Sequence, residues 1–157
     1  MEDTMKINVK RIPEGGETLR GTEPAAILEL EDPNVRFGKE IEYELHAQVQ
    51  GGALLVTGTL RAPVTARCGR CLKTLKLPLA VQDFVFHHEL HGEDFMDLTE
   101  NIREDILLQL PQRTLCDPDC KGLCPVCGQD LNIRRCSCEG LRKFSGRWGK
   151  LDELKLK

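Results

Sequence analysis

Residues 5–12 (Met-Lys-Ile-Asn-Val-Lys-Arg-Ile) alternate apolar with polar positions at a period of two. That pattern predicts a half-buried strand ending at Pro13, after which Gly15-Gly16 turns the chain. From Arg20 to Glu40 the alternation lapses: Pro24, Pro33, Asn34 and Gly38 interrupt it, and only the short piece Ala25–Leu30 is apolar, so this stretch reads as loop-rich. Ile41, Tyr43, Leu45, Ala47 and Val49 restore the period through Gln50, and Gly51-Gly52 separates them from Ala53–Arg61 as strand, hairpin turn and strand. Pro63–Cys68 and Leu75–Leu90 are further extended pieces. The second changes phase, from Leu75, Leu77, Leu79 and Val81 to Phe84 and Phe86, which predicts a bulge at Gln82-Asp83.

The period then lengthens. Leu98, Ile102, Ile106 and Leu110 recur every four residues with Leu107 beside them, predicting a helix over 98–111 that is capped by Thr99, carries Glu100 in its first turn and is stopped by Pro111. A shorter helix is expected over about 147–154, with Trp148, Leu151 and Leu154 inward. Strands in hairpin order followed by one main helix define an α+β class with an antiparallel sheet. The expected layout is a single domain over 1–157: strands and loops in 1–97, the helix in 98–111, and a cysteine-rich zinc-binding segment with a tail in 112–157.

Composition refines this layout. A chain of 157 residues buries roughly 68–70% of its unfolded surface and can build a core without covalent staples. Aromatic residues make up 4%, so that core is Leu, Ile and Val. No apolar run approaches the ~18 residues of a membrane span, and Met1-Glu2-Asp3-Thr4-Met5 lacks the basic start of a secretory leader, which predicts a cytoplasmic protein without a membrane partner. The net charge of -3 argues against non-specific coating of nucleic acid. The distribution says more: Glu89, Glu93, Asp94, Asp97, Glu100, Glu104 and Asp105 face only Arg103, whereas residues 132–157 hold eight bases against three acids.

Eight cysteines are the chief chemical signal. In a reducing compartment they point to metal or redox chemistry and not to disulfides. Cys68-Gly69-Arg70-Cys71 and Cys124-Pro125-Val126-Cys127-Gly128 are C-x-x-C turns, each able to present two thiolates to one ion; Gly128 can take the positive φ that turns backbone N–H groups toward sulfur. Cys116 and Cys120 precede the second turn, and Cys136 and Cys138 follow it. Eight thiolates divide into two tetrahedral sites, the closed coordination of structural zinc, with no position open for water or a small-molecule substrate. One partition joins Cys124, Cys127, Cys136 and Cys138 and leaves Cys68 and Cys71 to Cys116 and Cys120; another joins the two C-x-x-C turns. Spacing alone admits both.

Two other uses of these cysteines can be weighed. Cys68/Cys71 as a redox pair needs a helix inside a βαβ unit, which the surrounding strands do not offer. Cys120-x₃-Cys124-x₂-Cys127 has the spacing of an iron–sulfur ligand set, but the enzymes that use it need a large partial barrel. His46, His87, His88 and His91 read as surface strand residues, and no phosphate loop or nucleophile elbow occurs. Basic residues flank the metal motifs: Arg67, Arg70, Lys73 and Lys76 around the first, Arg134 and Arg135 beside the last, then Arg142, Lys143, Arg147 and Lys150. A metal-rigidified loop presenting Arg suits phosphate, and the same charges also offset thiolates, so a general nucleic-acid-binding zinc module is a further reading.

These residues resemble one family over nearly the whole chain. Cys68-x-x-Cys71-Leu72 after a strand, the helix end Leu107-Leu108-Gln109-Leu110-Pro111, the run from Cys116-x₃-Cys120 through Gly122-Leu123-Cys124-Pro125-Val126-Cys127-Gly128-Gln129-Asp130-Leu131-Asn132 to Cys136-x-Cys138, and Arg147-Trp148-x-x-Leu151 are similar to the YceD family of large ribosomal RNA subunit accumulation proteins. The resemblance implies a cytoplasmic, non-enzymatic ribosome-assembly factor needed for accumulation of 23S ribosomal RNA. Its partners would be a large-subunit precursor, a ribosomal protein or the RNA itself, and its expected contacts are Arg67, Arg70, Lys73, Arg134, Arg135, Arg147 and Trp148. Oligomeric state is not legible.

Overall fold

A computed structural model describes residues 5–138. In chain order the elements are β1 (Lys6–Asn8), a 3-10 turn (Val9–Arg11), β2 (Glu17–Pro24), a second 3-10 turn (Ala25–Leu28), β3 (Val35–Phe37), β4 (Glu40–Gln50), β5 (Ala53–Arg67), β6 (Thr74–Glu89), β7 (Phe95–Asp97) and α1 (Thr99–Leu108). The architecture is the expected antiparallel sheet with one main helix. The second helix expected near 147–154 lies outside the described residues. Contacts divide the chain into two compact units: residues 1–67 with 74–114, and residues 68–73 with 115–157. The loop joining β5 to β6 thus belongs with the C-terminal cysteines.

In the first unit β5 is the axis. It pairs with β4 over Ala53–Arg61 and with β3 over Val64–Ala66 on one side, and with β6 along its whole length on the other, while β2 pairs with β4. Gly51 (φ 59°) and Gly52 (φ 80°) close the β4–β5 hairpin with two consecutive positive φ angles, the tight turn whose twist suits paired strands. The alternation read from sequence buries Leu45 and Ala47 of β4, Leu54, Val56 and Leu60 of β5, and Val81 and Phe84 of β6 on one face. Helix α1 packs there, lowering Ile102 and Ile106 onto β6 and β5. β1 and β7 form a separate two-stranded pair whose Met5 and Ile7 join the same core.

Several expectations are corrected. The first strand is shorter than residues 5–12, because Val9–Arg11 tightens into a 3-10 turn whose Lys10 N–H donates to Asn8 Oδ1. The stretch after Arg20 is not loop throughout: β2 runs to Pro24, an edge strand whose exposure leaves almost no apolar alternation to read. β5 continues through Pro63, whose lack of an N–H is harmless where its carbonyl accepts from Gly38 N–H at 2.7 Å. Thr99 does not cap α1: its hydroxyl accepts the Met5 N–H at 2.9 Å, while Asp97 Oδ1 accepts the Thr99 N–H. The predicted bulge is present, since Gly58 faces Phe84 and Leu60 faces Val81, leaving Gln82 and Asp83 opposite Thr59 alone. Among the described residues no helix is long and apolar enough to cross a membrane.

Glycine is required next to that bulge. A Cβ on Gly58 would collide with the Glu44 carbonyl oxygen and stand 2.8 Å from Leu45 Cα, both backbone atoms that cannot rotate away. Gly58→Ala is therefore expected to destabilise the sheet unit by roughly 2–3 kcal/mol, the upper range for overpacking. Urea unfolding should show a lowered midpoint with an unchanged slope.

Candidate metal centres

Among the described residues of the second unit the buried side chains are all cysteines, Cys68, Cys71, Cys120 and Cys124. Its order comes instead from two copies of one backbone turn. In the first, Cys68 N–H donates to the Lys73 carbonyl at 2.8 Å and Leu72 N–H to the Cys68 carbonyl at 3.0 Å. In the second, Cys124 N–H donates to the Gln129 carbonyl at 2.8 Å and Gly128 N–H to the Cys124 carbonyl at 2.8 Å. The residue after the second cysteine is left-handed in both, Leu72 at φ 60° and Gly128 at φ 73°. Gly128 was legible as such a position; Leu72 was not, because leucine disfavours it.

These turns aim N–H groups at sulfur. The backbone N–H groups of Cys71 and Arg70, the latter 3.4 Å away, draw the Cys68 thiol down to about 6. Those of Cys127 and Val126 do the same for Cys124, also to about 6. Each turn therefore starts a cluster with one thiol that ionises readily. The remaining cysteines close around them in two sets, Cys68 with Cys71, Cys116 and Cys120, and Cys124 with Cys127, Cys136 and Cys138; within each set all four sulfurs lie within 4.8 Å of one another. Of the two partitions that spacing allows, the fold adopts the one that keeps the C-x-x-C turns apart.

The donor sets fit a metal ion. Cys71 and Cys116 sulfurs are 3.5 Å apart and Cys68 and Cys120 sulfurs 3.9 Å apart, well beyond the ~2.05 Å of a disulfide. They bracket the edge of about 3.8 Å that a tetrahedron with 2.3 Å metal–sulfur bonds requires. Crowded sulfurs resist ionising together: contact with Cys120 and Cys71 pushes the Cys116 thiol up to about 12, and contact with Cys127 pushes Cys138 up to about 12. The iron–sulfur spacing is not assembled, because Cys120 stands in one cluster and Cys124 and Cys127 in the other.

A hydrogen-bond frame holds the first cluster. Arg70 Nη1 donates to the carbonyls of Cys120 at 2.8 Å and Pro118 at 3.1 Å, clamping the Cys116–Cys120 loop. Leu123 N–H donates to the Arg70 carbonyl at 3.1 Å, an approach that Gly122 permits, since a Cβ there would stand 3.0 Å from that same oxygen. Asn132 is the residue that sequence reasoning left without a role. Its Oδ1 accepts the Lys121 N–H at 2.8 Å, its Nδ2 donates to Asp130 Oδ1 and lies 3.4 Å from Cys120 Sγ, and Asp130 Oδ1 also accepts its N–H. The Asp-Leu-Asn triplet is thus a bracket for a ligand of the first cluster, contributed from beyond the second turn.

Of the residues expected to touch a partner, Arg70 is engaged with these carbonyls and Arg134 donates to Gln129 Oε1 at 3.0 Å. Arg67, Lys73 and Arg135 are exposed; Arg147 and Trp148 lie outside the described residues. Among the described histidines, His88 faces Glu93 at 3.8 Å and joins no metal-ligand set.

Fold and clusters define a β-rich protein carrying a cysteine-knuckle unit with room for two metal ions. A family model described as large ribosomal RNA subunit accumulation protein YceD matches residues 85–155. The chain is 30% identical over 163 positions to an uncharacterized protein of Mycobacterium tuberculosis, covering 85% of this chain and 77% of that one. It is 37% identical over 60 residues to a chloroplastic protein of Arabidopsis thaliana named large ribosomal RNA subunit accumulation protein YCED homolog 1, covering 38% of this chain and 18% of that one. A Zea mays protein of the same name is 36% identical over 62 residues, covering 37% and 21%. No solved structure matches the chain. The chain belongs to the YceD family.

Two predictions follow from the frame and the exposures. Asn132→Ala is expected to weaken metal binding at the first cluster about 10–100-fold, the usual effect of losing a group that orients a ligand, while leaving the second cluster's affinity unchanged. Competition with a chromophoric chelator resolves the two. In the native chain the second cluster, with Cys127 exposed and Cys136 and Cys138 half-buried, should surrender its ion first as chelator is raised. Metal loading should also release protons at pH 7, at least the two held in each cluster by Cys71 with Cys116 and by Cys136 with Cys138, whose thiols are all raised. Calorimetry in buffers of differing ionisation enthalpy measures that number, and retention should weaken as pH falls, because a proton competes with the ion for every thiolate.

Proposed function

We propose that the chain is a non-catalytic assembly factor required for accumulation of large-subunit (23S) ribosomal RNA, acting by binding a large-subunit precursor through a ribosomal protein or the RNA. In this reading it holds two structural zinc ions, one per cluster. The family description and the plant relatives' names support the role in large-subunit RNA accumulation. The observation that carries the structural half is the gathering of four sulfurs in each cluster: four thiolates fill a tetrahedral ion and leave no coordination position at which water or substrate could be activated. Thiolate-only ligation favours zinc over harder cations. The bacterial setting of the mycobacterial relatives agrees with a cytoplasmic site of action; the plant relatives are chloroplastic by name.

The cysteine unit carries eleven bases against six acids, the remainder of the chain eleven against nineteen. RNA contact is therefore assigned to the cysteine unit, through Arg67 at its border, Lys73, Arg134 and Arg135, and through Arg147 and Trp148 beyond the described residues. A bound ion would order the loops that carry Lys73, Arg134 and Arg135 before RNA arrives, which lowers the entropy lost on binding.

Cells lacking the protein should show a lowered ratio of 23S to 16S ribosomal RNA, restored by the native chain and not by a Cys68→Ser/Cys124→Ser double variant. The native chain should co-sediment with immature large subunits in a gradient, and elemental analysis should find two zinc ions per chain. An unchanged RNA ratio, or protein confined to the top of the gradient in cells stalled in assembly, would defeat the functional reading. Iron in place of zinc would defeat the metal assignment.

A further inference from the structure

Among the described residues the sheet ends in a long strand with nothing paired beyond it. β6 pairs with β5 alone, and among the described residues no backbone hydrogen bond reaches its far side. Which groups face that side follows from the ladder, because in an antiparallel pair the N–H and C=O of one residue point the same way. The Pro63 carbonyl accepts from Gly38, and Arg67 N–H donates to Asn34, so odd-numbered residues of β5 face β3 and β4. Even-numbered ones face β6, as the bond from Leu90 N–H to the Gly52 carbonyl confirms. Phe84, Phe86 and His88, opposite Gly58, Val56 and Leu54, are therefore bonded to β5, and Val85, His87 and Glu89 turn their N–H and C=O groups to the open edge.

The two halves of this edge differ. Before the bulge, Pro78 lies opposite Pro63 and so faces its missing N–H outward, and Lys76 shares that side; both are devices that discourage strand addition. After the bulge, Phe84–Glu89 has neither Pro nor Lys, and Val85 is 60% exposed. No Lys or Arg occurs from Leu77 to Ile102, a span holding Asp83, Glu89, Glu93, Asp94, Asp97 and Glu100. α1, which carries Glu104 and Asp105, packs against β6; burial raises the Asp105 carboxyl, and the charges of Glu104 and Asp83 add to it.

We propose that Phe84–Glu89 is a strand-addition site for an extended segment of another protein in which apolar residues alternate with Lys or Arg. Val85, His87 and Glu89 supply the ladder bonds, the exposed Val85 side chain meets the apolar positions, and the carboxylates at Asp83, Glu104 and Asp105 meet the basic ones. The unguarded half of the edge is thus kept open for a basic strand, while Lys76 and Pro78 stop pairing from spreading along the rest. The inference stands on the sheet alone and holds whether or not the ribosomal reading does.

The test uses the full chain and two eight-residue peptides, one alternating Lys with Val and one alternating Glu with Val, followed by amide exchange and fluorescence titration. The Lys/Val peptide should slow exchange at Val85, His87 and Glu89 and leave Phe84, Phe86 and His88 unchanged. It should bind at least tenfold more tightly than the Glu/Val peptide. Val85→Lys, a surface change that keeps the circular dichroism spectrum, should lose at least tenfold in affinity, and Asp83→Asn about two- to threefold. Equal binding of the two peptides, protection without the alternation, or full affinity in Val85→Lys would overturn the proposal. So would slow exchange at these three amides before peptide is added: if it grows with protein concentration the occupant is a second copy, and if not, the chain covers its own edge. The same protection produced by an RNA oligonucleotide would also count against a protein strand.

Discussion

Four sulfur atoms within 4.8 Å of one another strain against their own charge, and the cysteine unit depends on how that strain is resolved. Ionised together they repel; protonated, they are poor ligands. The pushed-up thiols of Cys116 and Cys138 and the lowered thiols of Cys68 and Cys124 record the intermediate condition, one ready thiolate per cluster with reluctant neighbours. A divalent cation removes the conflict by taking all four as thiolates, and in small peptides such sites contribute on the order of 10–16 kcal/mol to folding at neutral pH. Among the described residues of this unit nothing else is of that size, since their buried side chains are the cysteines themselves.

That stabilisation tolerates local strain elsewhere. A left-handed leucine costs about 1–2 kcal/mol relative to its usual conformations, yet Leu72 adopts φ 60° and is 56% exposed, so packing does little to offset it. The geometry of the turn demands this conformation after the second cysteine, as its twin shows with Gly128. Closure of the cluster holds Leu72 there, and the N–H it donates to Cys68 completes the turn that lowers its partner's thiol.

The legibility of each feature in the sequence follows from what produced it. Buried faces were readable, because alternate burial imposes alternate hydrophobicity: β4, β5, β6 and the inward side of α1 stand where the pattern put them, and even the bulge showed as a phase slip at Gln82-Asp83. Exposed edges were not. β2 is held by backbone bonds to β4 while its side chains meet solvent, and a proline at its end reads as loop. Pro63 reads as a break because the sequence does not reveal which side of the ladder a missing N–H faces. In the cysteine unit, ligand identity was plain from spacing, but pairing was not, since it depends on the β5–β6 hairpin carrying Cys68 and Cys71. Asn132 lay within the most specific motif of the chain, yet its contact with Cys120 spans twelve positions and has no local periodicity to betray it.

The division of charge follows the division of order. The sheet unit is organised by apolar burial and carries a surplus of carboxylates; the cysteine unit gathers the sulfurs and carries the surplus of bases. Thiolate clusters favour this split, because each closed zinc site of four thiolates has a formal charge of -2 that nearby Arg and Lys offset. Arg70 illustrates the consequence: a basic residue beside the first cluster donates to the carbonyls that frame it. Bases that are not so engaged, such as Arg135 and Lys73, remain exposed on a scaffold that a bound ion would order. On the proposed function, then, the metal contributes to recognition only indirectly. It would order the unit that carries the surplus of bases, while the acidic sheet is free to present the opposite charge to a different partner.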